Sequence, residues 1–248
     1  FTLDASEKKQ SANLNLQKGI VRLPLVDPSA TEFNSSIMAY DTSTKKWTPM
    51  FNKSTCTLYI VYRHQRDGHS SVWMGELSLT HQKILNAKQL LADPHIHYED
   101  PRLFTFQNEL YVSYSFFGSE TEKDWDVITK TIRIGMTRIR KAADGFECGP
   151  VYIPPFGNNA KPVGVEKNWG FFEKGKELHC LYSISPFVIF KYDMAANICR
   201  LVRTSKTKAN LSLRGGTPPL YINKQFVAFI HCSDYLSYRF DMTFDSNQ

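Results

Sequence analysis

The chain has no Cys-x-x-Cys pair, no apolar run long enough to cross a bilayer, and no glycine-rich phosphate loop. Each absence removes a class of protein. Cys56, Cys148, Cys180, Cys199 and Cys232 are scattered, so neither a zinc site nor a disulfide scaffold is expected, and free thiols in strands are. A membrane helix takes roughly 18 consecutive apolar residues, and without such a run the chain reads as soluble. Neither a Gly-x-x-x-x-Gly-Lys loop nor a Gly-x-Ser-x-Gly elbow occurs, which sets aside nucleoside-triphosphate loops and serine hydrolases. The polar stretch from Thr2 to Asn15 carries no signal-peptide pattern. The expectation is a processed product or fragment, cytoplasmic or a lumenal or secreted piece whose targeting segment is missing. Three sequons, at Asn34, Asn52 and Asn210, stand against about two that chance would supply, and do not choose between these compartments.

What is present is an ordinary globular composition. The 248 residues are 42% hydrophobic, with 13 glycines and 30 basic against 24 acidic side chains, a formal charge of +6. Disorder and collagen-like structure are excluded, and the length suits one large domain or two small ones. The modest positive charge favours anionic ligands without singling out nucleic acid.

Alternation, not helical period, dominates. Thr57–Arg63, Leu110–Phe116, Leu178–Ile184 and Phe226–His231 are short runs rich in β-branched and aromatic residues, and each reads as a strand. The best helix candidate, Lys83–Ala92, is short, so the predicted fold is all-β. Three of these strands follow a tight polar turn, at Gln107-Asn108, Lys174-Gly175 and Asn223-Lys224, that closes a hairpin with a preceding apolar strand. Ahead of each hairpin lies a polar cluster: Glu99-Asp100-Pro101-Arg102, Glu166-Lys167-Asn168-Trp169, and Arg214-Gly215-Gly216-Thr217-Pro218-Pro219. Phe33-Asn34-Ser35-Ser36-Ile37 is an earlier counterpart. The clusters lie about 47 to 68 residues apart, the spacing of propeller blades with insertions. The expectation is a single five-bladed β-propeller over residues 1–248, its N-terminal stretch completing the last blade, with a four-bladed or incomplete ring as the alternative. Equivalent clusters from successive blades would then converge on one axial mouth, gathering Asp100, Lys167, Asn168 and Arg214.

Proline holds its own backbone and pushes the preceding residue towards an extended conformation. Asp100, with Arg102 two residues on, therefore suits either a structural ion pair or a positioned acid. The double glycine after Arg214 permits close approach of backbone to a ligand, or simply an unusual turn. Trp169 reads as a sugar-stacking platform or as core.

Tyr98-Glu99-Asp100-Pro101-Arg102-Leu103-Phe104 before a strand resembles glycoside hydrolase family 130. So do Leu58-Tyr59-Ile60-Val61-Tyr62-Arg63-His64, Ser71–Thr80, and Gly215-Gly216-Thr217-Pro218-Pro219 ahead of His231. That family comprises β-mannoside phosphorylases, some β-mannosidases and related mannosyltransferase-phosphorylases. The likeness runs from about Asn34 to His231. Glu166-Lys167-Asn168-Trp169 and Tyr182–Pro186 depart from it, towards a divergent branch. The resemblance implies a five-bladed propeller with its active site at the axial mouth and Asp100 as general acid. It further implies phosphate held by Arg63, Lys167, Arg214 and His231, with Arg138 as a further candidate. Asn34, Arg63, Glu99, Arg102, Asn168, Trp169 and Asp234 are the candidate sugar contacts.

An inverting hydrolase needs a second carboxylate to activate water, roughly 6.5–9.5 Å from the acid. A phosphorylase needs only the acid plus cations, because phosphate is already an anionic nucleophile and arginine's fork matches its oxygens. One acid in a strong motif and several basic residues at blade starts lean towards phosphorolysis or transfer from an anionic donor. Glu166, Glu173 and Asp234 remain candidates for the second carboxylate of a hydrolase, and a non-catalytic glycan- or protein-binding propeller is a third reading. No cofactor or metal is expected. The co-substrate is inorganic phosphate, a sugar phosphate or a nucleotide sugar, with no nucleic-acid partner. His95 and His97 are expected at the surface or behind the site, and Arg133–Lys141 as a strand with a charged outer face.

Overall fold

The computed structural model describes residues 23, 26–118, 132–155, 165–206, 213–232 and 237–242. They form seventeen strands in four antiparallel sheets, and the sheets are the blades of a β-propeller. The first blade holds β1 (Thr31–Asp41), β2 (Lys46–Thr48), β3 (Cys56–Arg66), β4 (His69–Ser78) and β5 (Lys83–Leu91). The second holds β6 (His97–Phe106), β7 (Glu109–Phe117), β8 (Arg133–Ala142) and β9 (Gly145–Tyr152). The third holds β10 (Gly170–Lys174), β11 (Glu177–Ile184), β12 (Phe187–Asp193) and β13 (Ile198–Ser205). The fourth holds β14 (Leu213–Gly215), β15 (Leu220–Ile222), β16 (Gln225–Cys232) and β17 (Ser237–Met242). The all-β propeller is as expected. Its blades number four among the described residues, the alternative rather than the first expectation.

Blades pack face to face, so a strand in the middle of the ring is buried on both sides. On β7, Leu110, Val112 and Tyr114 join a core shared with Met38, Val61 and Met74 of the first blade. Tyr111, on the opposite face, joins Phe104, Ile134 and Met136 in a core shared with Phe171, Leu178 and Cys180 of the third blade. A third core, Phe172, Leu181 and Ile189 with Phe226, Ala228 and Ile230, joins the third blade to the fourth. This two-sided burial explains why the strand sequences alternate between kinds of apolar residue rather than between apolar and polar. On β8, Met136 and Ile139 are three residues apart, so alternation alone sends one to each core.

Two expectations are corrected or completed here. Lys83–Ala92, the helix candidate, holds the strand β5, paired along β4 at the outer edge of the first blade. Its mixed exposure reflects an edge that water reaches, which blurs a period of two. Arg133–Ala142 is the strand expected there. Cys56, Cys148, Cys180 and Cys199 are free thiols on strands. Among the described residues no helix is long and apolar enough to cross a membrane.

Candidate functional site

The inner strands of the first, second and fourth blades are interrupted, and a residue of the same backbone conformation precedes that of the third. In β1 the pairing with β3 slips between Phe33 and Ser36, and in β6 the pairing with β7 slips between Glu99 and Arg102. The extra residue sits in the left-handed region in both: Asn34 at φ 52° and Asp100 at φ 49°. Asn168, directly ahead of β10, repeats this at φ 64°. In the fourth blade the inner strand is split into β14 and β15, both paired with β16, and Gly216 and Thr217 donate to the Phe229 carbonyl. Asn and Asp tolerate this backbone region better than other non-glycine residues, which accounts for the residue types found there. Pro101 follows Asp100, and the bulge rather than an extended segment sets the backbone of Asp100.

Register places the residues around the bulges on a common ring. Phe33 pairs Arg63, Glu99 pairs Ser115, and Arg214 pairs His231. Asn34 Nδ2 donates to Asp100 Oδ1 at 2.5 Å, linking the first and second blades. The Arg102 guanidinium reaches across two further blades. Nη2 donates to Asn168 Oδ1 at 2.9 Å and to the Gly215 carbonyl at 3.3 Å, and Nη1 donates to the Trp169 carbonyl at 3.2 Å. Burial pushes the Arg102 pKa down, opposed by the nearby Asp100 charge. Asp100, Arg102, Asn168 and Trp169, with Ser113, Tyr114, Ser115 and Ile134, line a narrow cleft.

Glu99 bridges two cations. Oε1 meets Arg63 at 2.9 Å and Oε2 meets Lys167 at 2.6 Å. The Arg63 guanidinium also lies over the Phe33 ring, 4.7 Å from its centroid. Arg214, by contrast, is exposed, and among the described residues it makes no ion pair. His231 beside it is held below the usual imidazole range by burial and by the charges of Arg102 and Arg214, against the pull of Asp100. His97 is lowered by burial, by His69 and by Arg63. Its ring stacks on Phe117 at 5.0 Å and lies 4.7 Å from His69.

Glu166 lies under this surface at 4% exposure. Its carboxylate accepts from the Trp169 indole at 2.9 Å and from the Tyr182 hydroxyl at 3.0 Å. Burial raises its pKa, while those two donors and Arg133 oppose the rise.

The sequence-predicted residues divide accordingly. Asn34, Arg63, Glu99, Asp100, Arg102, Lys167, Asn168, Arg214 and His231 belong to the ring. Arg138 does not: it pairs Tyr111 near the far, hairpin end of the second blade. Glu173 is also at that end, accepting from the Gln107 amide at 2.8 Å. Trp169 is 3% exposed and packs against Phe171 and Tyr182 in the core, so its indole is a wall and not an open stacking platform. Asp234 lies outside the described residues. Tyr182 was given no role from sequence, although a signal existed. Tyr62, Tyr114 and Tyr182 each stand four residues after a leucine near the start of the strand, at Leu58, Leu110 and Leu178.

No protein-family model and no curated protein matches the chain. Among solved structures it is similar to a glycosyl hydrolase from Bacteroides ovatus. The identity is 11% and the TM-score 0.50, over 92% of this chain and 75% of that one. It is also similar to a Trypanosoma rangeli sialidase in complex with sialic acid, at 8% identity and TM-score 0.45, over 88% of this chain and 41% of that one. The likeness to the Bacteroides ovatus structure is one of fold. Fold and ring together define the class: a β-propeller with a polar, charged axial mouth.

Proposed function

We propose that the chain is a carbohydrate-active enzyme that acts on β-mannosides or related sugars with inversion, by phosphorolysis or by transfer from an anionic donor. Asp100 is the general acid. It gives its proton to the glycosidic oxygen as the bond from that oxygen to the anomeric carbon breaks and the bonding electrons pass to the oxygen. A phosphate oxygen attacks the same carbon from the opposite face, leaving a sugar phosphate. A fifth blade, implied by the family resemblance, is part of the same proposal, and a glycosyl hydrolase among the fold neighbours agrees with sugar chemistry at a general level.

One observation carries the preference for an anionic nucleophile over water. Among the described residues, every other candidate carboxylate is committed elsewhere. Glu99 is held by Arg63 and Lys167, Glu166 is buried under two donors, and Glu173 is at the far end of its blade. A base for water would have to be free and face Asp100 across the sugar. Cations next to Asp100 suit phosphate instead. The test is incubation with a panel of β-mannosides, with and without inorganic phosphate. Phosphate-dependent formation of a sugar 1-phosphate supports the proposal, and release of free sugar in water alone, unchanged by phosphate, points to a hydrolase.

A further inference from the structure

We propose that Asn34 is the positioning residue of the acid: its amide N–H holds Asp100 Oδ1, so that Oδ2 carries the proton that the reaction delivers. The inference rests on the reading of Asp100 as general acid for its catalytic meaning. It takes Asn34 out of the sugar contacts that the family resemblance implies. The clamp itself needs no sugar.

The two residues occupy the same place in successive inner strands. Asn34 lies where the pairing of β1 with β3 slips, and Asp100 where that of β6 with β7 slips. Both have left-handed backbone, at φ 52° and 49°. Glycine takes that conformation at less cost than a residue with a Cβ. What asparagine adds at position 34 is an amide, and the amide is in use: Nδ2 donates to Asp100 Oδ1 at 2.5 Å. A second bond from the same strand holds the far side of the bulge, where Ser36 Oγ accepts from the Leu103 main-chain N–H at 3.0 Å. The first blade thus braces Asp100 by its side chain and, three residues on, by the main chain of β6. Pro101 lies between, with its own φ fixed by the ring. With the backbone held in this way, the side-chain torsions are the main freedom left to Asp100, and a bond to one carboxyl oxygen restricts them. A group that must meet a glycosidic oxygen within hydrogen-bond reach gains from that restriction.

A carboxyl group has two oxygens, and an acid gives its proton from one of them. An oxygen that already accepts a short N–H bond has no room for a hydrogen in the same direction, so the acid form places its proton on the other. Asparagine could instead turn its amide and present oxygen, in which case it would accept the proton and withhold it from the substrate. The orientation in the structure, N–H towards Asp100, is the one that keeps the acid productive. Aspartate at position 34 could not do this, because two carboxylates so close share one proton.

Neutron diffraction of the deuterium-exchanged full chain reads the arrangement without sugar, at neutral pH and in crystals acidified until Asp100 takes its proton. The expected maps show deuterium on Asn34 Nδ2 facing Asp100 Oδ1 at both pH values and, in acid, a deuteron on Oδ2. A deuteron on Oδ1 facing Asn34 Oδ1 overturns the proposal, as does an Asn34 amide turned away from Asp100. The kinetic arm uses Asn34→Gly, which suits the left-handed backbone and removes the side chain. With the best β-mannoside, kcat should fall about tenfold, the scale of one charge-assisted hydrogen bond, while KM stays nearly unchanged. An unchanged kcat, with or without a raised KM, overturns the positioning role, and the raised KM makes Asn34 a sugar contact. The enzymatic reading fails separately, by an Asp100→Asn variant that turns over sugar normally, and the neutron maps would still decide the clamp.

Discussion

The Arg102 guanidinium in the second blade donates to the main-chain carbonyl of Gly215 in the fourth, 113 residues along the chain, at 3.3 Å. The same group holds Asn168 and Trp169 of the third blade. One side chain thus ties three inner strands together directly beneath Asp100, and the ring around the axis is set by hydrogen bonds as well as by the apolar cores between blades.

Arg102→Met is expected to leave the Asn168 side-chain oxygen and the carbonyls of Trp169 and Gly215 without this donor. Losing charge-assisted bonds in a buried setting costs roughly 2–5 kcal/mol. Chemical denaturation should show this loss, and Arg102→Lys should recover only part of it, since an ammonium cannot copy the planar fork.

Gly215→Ala is expected to be destabilising for a different reason. A Cβ at that position would stand 2.3 Å from the Asn168 carbonyl oxygen, which is backbone and cannot swing aside. The inner strands of the third and fourth blades would be forced apart, and the melting temperature should fall. Gly175→Ala is the comparison: it has open space around the added carbon but a φ of 66°, so its cost is backbone strain alone.

Glu166→Ala strands the Trp169 indole N–H and the Tyr182 hydroxyl, and about 2–3 kcal/mol of stability is expected to go with them. Tyr182→Phe removes one donor without orphaning the carboxylate, which keeps Trp169, so a loss of about 1 kcal/mol is expected. A thermal melt of each variant measures the difference.

Acid should destabilise the fold before carboxylates titrate. Burial is the largest cause of the lowered pKa of His97, His179 and His231, so the unfolded chain takes up these protons more readily than the folded one. Their stabilising effect is present above the ordinary imidazole value of about 6.5 and is lost as the pH falls through the lowered folded values. Glu166 acts in the opposite sense: its raised pKa means that stability is lost as pH rises through the folded value. With three histidines against one carboxylate, the melting temperature should decline from about pH 7 towards pH 5. His179→Gln should flatten part of that slope.

The strands and the blade spacing were legible because inner strands repeat a composition and because each is preceded by a polar cluster. Convergence of Asp100, Asn168 and Arg214 followed from that repeat alone. What the sequence did not carry was the use made of each side chain. Glu99 looked like a sugar contact until its two oxygens were found on Arg63 and Lys167, which lie on different blades. Trp169 fits a stacking platform as well as a core residue by type, and only packing against Phe171 and Tyr182 decides. Lys83–Ala92 misled because an exposed edge strand loses the contrast between its faces, so apolar residues at Ile84, Leu85, Leu90 and Leu91 fit a helix almost as well.

The central claim is that Asp100 supplies the proton for a sugar-transfer reaction, and Asp100→Asn tests it most directly. Asparagine tolerates the left-handed backbone at this position and can still accept from Asn34, so the variant should fold, with a modest loss of stability because the charge that opposes the burial of Arg102 is gone. The decisive quantity is the rate of phosphate-dependent turnover of the best β-mannoside by the two proteins side by side. The account predicts a fall of about 100-fold or more, the scale of losing a general acid. Equal rates from two equally folded proteins would contradict it.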